Sequence, residues 1–147
     1  MKINNYNFPE DLYYDEKHGW ARVEGSKIVQ GLTELGQAVA KEIIFVGLPK
    51  MGLVVQQGKT FASLESGKWV GRVPAMASGK VSSLNLELET SPELINNSPF
   101  EDGWLVEIEM SDPAELSNLM RADSQSFQDF IKSEFQKHSK ILGGSGE

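Results

Sequence analysis

The 147-residue sequence has no cysteine. That excludes disulfides, a thiol nucleophile and thiolate metal sites. It has two histidines, His18 and His138, too few for a histidine metal cluster. The longest apolar run, Ile43-Ile44-Phe45-Val46, is far too short to cross a bilayer. The opening MKINNYNFPEDLYYDEK lacks the apolar segment of a secretory signal. Positive charge is in deficit. With 14 Lys and Arg against 21 Asp and Glu the net charge is −7, which phosphate backbones repel. Neither nucleic acid nor membrane is expected as a partner, and a cytoplasmic location is expected.

What remains is ordinary soluble composition, 39% hydrophobic and 24% charged, in a chain long enough for one packed core. A single domain is expected over residues 1–139, followed by a flexible tail over 140–147 that ends in GGSGE. The first half reads as short strands. Trp20 to Val29 forms a hairpin pattern around a Glu24-Gly25-Ser26 turn. Thr33 caps a short helix over TELGQAVAKE, weakened by Gly36. IIFVGLP reads as a buried strand. Leu84, Leu86 and Leu88 alternate with polar residues, as do the residues of GWLVEIEM, which marks half-buried strands.

The last third turns helical. Ser91 and Pro92 open one short turn. Asp112, Pro113 and Glu115 spell a fuller cap with a capping box. Asp123 is expected to cap the longest helix, which carries Phe127, Phe130, Ile131 and Phe135 on one face. Short strands followed by a few helices predict a β-sandwich or flattened barrel with helices at its C-terminal end.

One stretch, SLESGKWVGRVPA, carries the chemistry. With Gly67-Lys68 as a two-residue type II′ loop, Ser66 faces Trp69, Glu65 faces Val70 and Leu64 faces Gly71. Ala62, Leu64, Gly71 and Val73 then point inward. Ser63, Glu65, Val70 and Arg72 share the outer face, where Glu65 and Arg72 are placed to pair. Lys68 is carried at the apex. The pattern alone leaves two readings for it: a solvated turn lysine, as most lysines are, and a modification site.

From about Tyr13 to Phe130 the chain resembles the H protein of the glycine cleavage system. The resemblance is carried by HGWARVEG, by GLTELGQAVAKEIIFVGLPKMG, by LESGKW in place of the family's Glu-Ser-Val-Lys-Ala, and by the signposts within SGKVSSLNLELETSPELINNSPFEDGWLVEIEMSDPAEL. It implies a mainly β lipoyl-domain fold, a barrel-sandwich hybrid of two small antiparallel sheets with short helices and a C-terminal helix. It also implies lipoic acid bound through an amide to Lys68, on a chain that is a monomeric carrier rather than an enzyme. The implied partners are lipoate ligase or lipoyl-assembly enzymes, the enzymes that load and unload the arm, and dihydrolipoamide dehydrogenase.

The sequence departs from the family pattern around the lysine. Gly67 replaces a valine, Trp69 a small residue and Arg72 an aspartate, while Pro74 and Met76 alter the exit from the hairpin. Glu65, Ser66, Gly67, Trp69 and Arg72 are the motif and docking candidates. A change from acid to base beside the arm alters partner choice. The variant resembles lipoate-binding proteins of bacterial sulfur oxidation, which predicts a heterodisulfide-reductase-like complex as partner. The alternatives are a glycine cleavage H protein carrying the aminomethyl group and an unmodified H-protein-like binding domain.

Other motifs carry less. Gly58-Lys59-Thr60 lacks the upstream glycine of a phosphate loop. Ala75-Met76-Ala77 lacks the lysine of a biotin site. Trp69 either contacts the arm or stiffens the hairpin. His18 is either structural or part of a cleft wall.

Overall fold

The period-two runs become strands in three antiparallel sheets. The computed structural model of the chain describes residues 1–67 and 69–142. In chain order the strands are β1 (Lys2–Ile3), β2 (Tyr6–Asn7), β3 (Tyr13–Tyr14), β4 (Gly19–Glu24), β5 (Lys27–Leu32), β6 (Ile43–Gly47), β7 (Val54–Val55), β8 (Thr60–Ser66), β9 (Trp69–Pro74), β10 (Gly79–Leu84), β11 (Val106–Met110) and β12 (Met120–Arg121). The α-helices are α1 (Glu34–Ala40), α2 (Leu94–Asn97) and α3 (Gln125–Lys137), and 3-10 helices cover Leu86–Glu89 and Pro113–Asn118. A seven-stranded sheet runs β12-β3-β4-β5-β11-β10-β7, a three-stranded sheet runs β6-β8-β9, and β1 and β2 form a ribbon. This is the mainly β lipoyl-domain architecture, with short helices and a C-terminal helix.

Strand β5 explains the layering. Ile28 to Leu32 are all buried, because both faces of the strand are covered. Ile28 and Leu32 join the core between the two main sheets, with Leu64, Val73, Val81 and Ile108. Val29 on the opposite face joins a second core with Trp20, Phe127, Ile131 and Phe135. The second core is where α3 docks, by the aromatic stripe read from its sequence. Phe127 lies 5.2 Å from Phe8 and 4.7 Å from Tyr14, ring to ring. Trp20 needs Gly31 as its cross-strand partner, since any Cβ there would press on the indole at 2.6 Å.

The β4–β5 hairpin turns at Gly25, whose φ of 65° suits a residue without a Cβ. Thr33 caps α1 by accepting the Gly36 N–H at 3.0 Å. Gly36, a weak helix former, is required by packing: a Cβ would meet His18 and Leu32 below 3 Å.

Several expectations are corrected. In β6 only Ile43 and Val46 are buried, and a bulge leaves Ile44 and Phe45 more than half exposed. The alternation through Leu88 breaks at Asn85. Its amide donates to the carbonyls of Asp102 and Trp104 and bends the chain into a 3-10 helix, which leaves Leu86 exposed and Leu88 buried. Helix α2 begins after Glu93, with no side-chain cap from Ser91. Asp112 does cap, at 3.2 Å from the Ala114 N–H, but over a 3-10 helix. Glu115 leaves the capping box and accepts from the Ser78 N–H and hydroxyl instead. The N-cap of α3 is Ser124, not Asp123, because the Ser124 hydroxyl accepts the Phe127 N–H. Residues 138–142 run as turns, where Lys41 donates to the Ile141 carbonyl at 3.0 Å, and residues 143–147 of the expected tail lie outside the described residues, so its boundary stays an expectation.

Candidate functional site

The site starts from a register. Strands β8 and β9 pair Ser66 with Trp69, Glu65 with Val70, Leu64 with Gly71 and Ser63 with Arg72. These are the pairings read from the sequence, and they leave two residues, Gly67 and Lys68, between the strands. Lys68 itself lies outside the described residues. Gly67 does not take the positive φ of a type II′ turn, so the turn type differs while the register holds. Ala62, Leu64, Gly71 and Val73 are buried as expected, and Val70 on the outer face is 68% exposed.

The docking candidates divide between the two faces. Ser66 is buried and Trp69 half-exposed on the inner side, whereas Glu65 and Arg72 share the outer side. The expected Glu65–Arg72 ion pair does not form among the described residues. Glu65 instead stands between Val70 on β9 and exposed Phe45 on β6. The Trp69 ring folds back over Gly71, where a Cβ would collide with it.

At its base the hairpin is fastened to the larger sheet. Gln30 of β5 is fully buried; its amide donates to the Pro74 carbonyl at 2.9 Å and accepts from the Met76 N–H at 3.0 Å. These two bonds satisfy the chain where it leaves β9, on either side of Ala75. Below, Gln57 donates to the carbonyls of Met76 and Glu115, and Asn118 donates to Gln57.

A cleft of about 850 Å³ runs along the free edge of β9, from Trp69 to the far wall at His18 and Glu134. His18 takes φ 66° and donates from Nε2 to Glu134 Oε1 at 2.7 Å; His138 Nε2 lies 3.4 Å from the same oxygen. Burial outweighs the carboxylate and holds the His18 imidazole below its ordinary value. Beside it Asp15 accepts from the N–H groups of Lys17 and Gly19, yet burial still pushes its carboxyl up. His18 therefore lines the cleft and is structurally fixed at once. Glu134, His138, Gln30 and Asp15 were missed in the sequence. The His18–Glu134 pair spans 116 positions and leaves no local signal.

The match to the glycine cleavage H-protein family model covers residues 12–134. The chain belongs to the glycine cleavage H-protein family. A glycine cleavage system H protein of Brevibacillus brevis is 48% identical over 116 residues, 79% of this chain and 92% of that one. One from Symbiobacterium thermophilum is 42% identical over 126 residues, 86% and 97% of the two chains. A solved glycine cleavage system H protein from Mycobacterium marinum shares the fold. Its TM-score is 0.74 at 24% identity, over 86% of this chain and 98% of that one. These H-protein names favour the glycine cleavage alternative, and none of them supports the sulfur-oxidation reading drawn from Gly67, Trp69 and Arg72.

Proposed function

We propose that this H-protein-family chain is a lipoyl carrier with its arm on Lys68, serving the enzymes of glycine cleavage. One observation carries the reading. The β8–β9 register leaves only Gly67 and Lys68 between two paired strands, in a chain of a lipoyl-carrier family. The lipoyl group supplies a dithiolane to a chain that has no thiol of its own.

The protein's share of the work is positional. Paired strands deliver the attachment point on a fixed base, and Gln30 ties that base to the larger sheet. A tethered group on such a base meets each partner at high effective concentration. The cleft along β9 suits a slender, mostly apolar chain. Leu64, Leu119 and Val39 line it, and the polar groups of its far wall, His18 and Glu134, are bonded to each other. In this reading the protein is a substrate of its partners: a lipoyl-attaching enzyme first, then the glycine cleavage enzymes and dihydrolipoamide dehydrogenase, in the cytoplasm.

Arg72 keeps the sulfur-oxidation partner as a second reading. It puts an exposed cation on the outer hairpin face, where the family pattern has an acid. Intact mass separates the possibilities. Protein made with an active lipoylation system is expected to gain one lipoyl group, and Lys68→Arg to gain none. Failure of the native chain to gain mass beside a competent ligase would sink the carrier reading. Incubation with glycine and the glycine decarboxylase is expected to add further mass. Absence of that second gain would shift the assignment to the other partner.

A further inference from the structure

The indole of Trp69 is turned back along its own strand, toward the cleft. It lies so close over Gly71 that any side chain there would collide with it. It remains 39% exposed and borders the cleft together with Gly71 and Leu64. It is also the covalent neighbour of Lys68, at a position where the family pattern has a small residue. A half-exposed ring beside the attachment candidate offers a broad apolar face to a tethered group.

We propose that Trp69 is the contact face for the lipoyl head group, whose sulfurs pack against the indole when the arm is not engaged by a partner. This rests on the carrier reading of Lys68. Divalent sulfur is attracted to aromatic rings, most often at the ring edge, and the gain corresponds to about a two- to tenfold preference for the docked arm. Gly71 is what makes the platform: with no Cβ beneath, the ring lies flat along β9 instead of standing into solvent. The cleft wall continues past the ring through Leu64 and supplies an apolar surface for the methylene chain. Trp69 is on this account a positioning residue that sets how often the arm is presented to a partner.

The test uses the full chain with and without its lipoyl group, with attachment scored by intact mass and tryptophan emission as the readout. A disulfide in contact with an indole quenches it. Lipoylation of the native chain is expected to dim the emission, and reduction of the dithiolane to restore it. Trp69→Phe, which keeps an aromatic ring in the hairpin, should lipoylate fully and show neither change, because Trp20 is buried in the second core, Trp104 packs against that core, and neither lines the cleft. Gly71→Ala, which lifts the ring from its bed, should lower the redox-dependent dimming about two- to tenfold. A complete mass gain with no dimming, or equal dimming in Trp69→Phe, overturns this inference and leaves the carrier standing. No mass gain on Lys68 overturns both. A ring that only stiffened the hairpin would leave emission indifferent to the redox state.

Discussion

At the scale of single residues, His18 shows how position overrides chemistry. An imidazole beside a carboxylate is ordinarily driven to protonate, yet here burial wins and holds it below the ordinary value of 6.5. The unfolded chain therefore takes up a proton that the folded chain refuses. The His18 contribution to stability is complete above about pH 6.5 and is lost as pH falls toward the lowered folded value. The groups facing it are Glu134, His138 and Asp15. Asp15 works in the opposite direction: its raised carboxyl lends stability at low pH and loses it as pH rises through the folded value. Unfolding free energies from urea titrations between about pH 7.5 and about pH 5.5 should fall more steeply for the native chain than for His18→Asn, by up to about 1.4 kcal/mol per pH unit. Asparagine is the fitting replacement because it tolerates the positive φ of this position. Equal slopes in the two proteins would remove His18 from the account.

At the scale of elements, α3 and the β8–β9 hairpin serve different ends. The helix has one buried stripe, Phe127, Ile131 and Phe135, and its loss would strip one face of β4 and β5. Phe127→Ala should cost about 3–5 kcal/mol in urea unfolding, since its ring is wedged between Phe8 and Tyr14. A cost below about 1 kcal/mol would mean that the helix is peripheral to the fold. The hairpin buries only its inner face. The outer face of its sheet carries Phe45 of β6 and Val70, both exposed, on either side of Glu65, so substitutions there leave the core intact. The departures from the family pattern divide along this line: Arg72 is outside, whereas Trp69 lies inside over Gly71.

At the scale of the whole molecule, two sheets and two cores meet at β5, and Gln30 ties the sheets together through one side chain. Gln30→Leu should cost about 1–3 kcal/mol for each backbone group it orphans, the Pro74 carbonyl and the Met76 N–H, as read by urea unfolding. Gln30→Glu sets a buried carboxylate against the Pro74 carbonyl oxygen, so at neutral pH it should cost at least as much as leucine; a leucine variant as stable as the native chain would show that the clamp is dispensable. Much of this was legible in advance. The hairpin register follows from two apolar positions on each strand, Ala62 and Leu64 against Gly71 and Val73, and the stripe of α3 from its 3.6 period. What was illegible is long-range or competitive. The apolar run of β6 reads as buried, but a bulge turns Phe45 outward. The leucine alternation runs on past Asn85, whose side chain captures two distant carbonyls. Nothing near Glu134 announces His18. The placement of β5 has a last consequence, in time. Its amides, bonded to β4 and β11 and roofed on both sides, exchange with deuterium only when the whole domain opens. Strand β9, bonded on one side only, exchanges through small local openings. The β9 edge can thus open on its own timescale without crossing the barrier that keeps the protein folded.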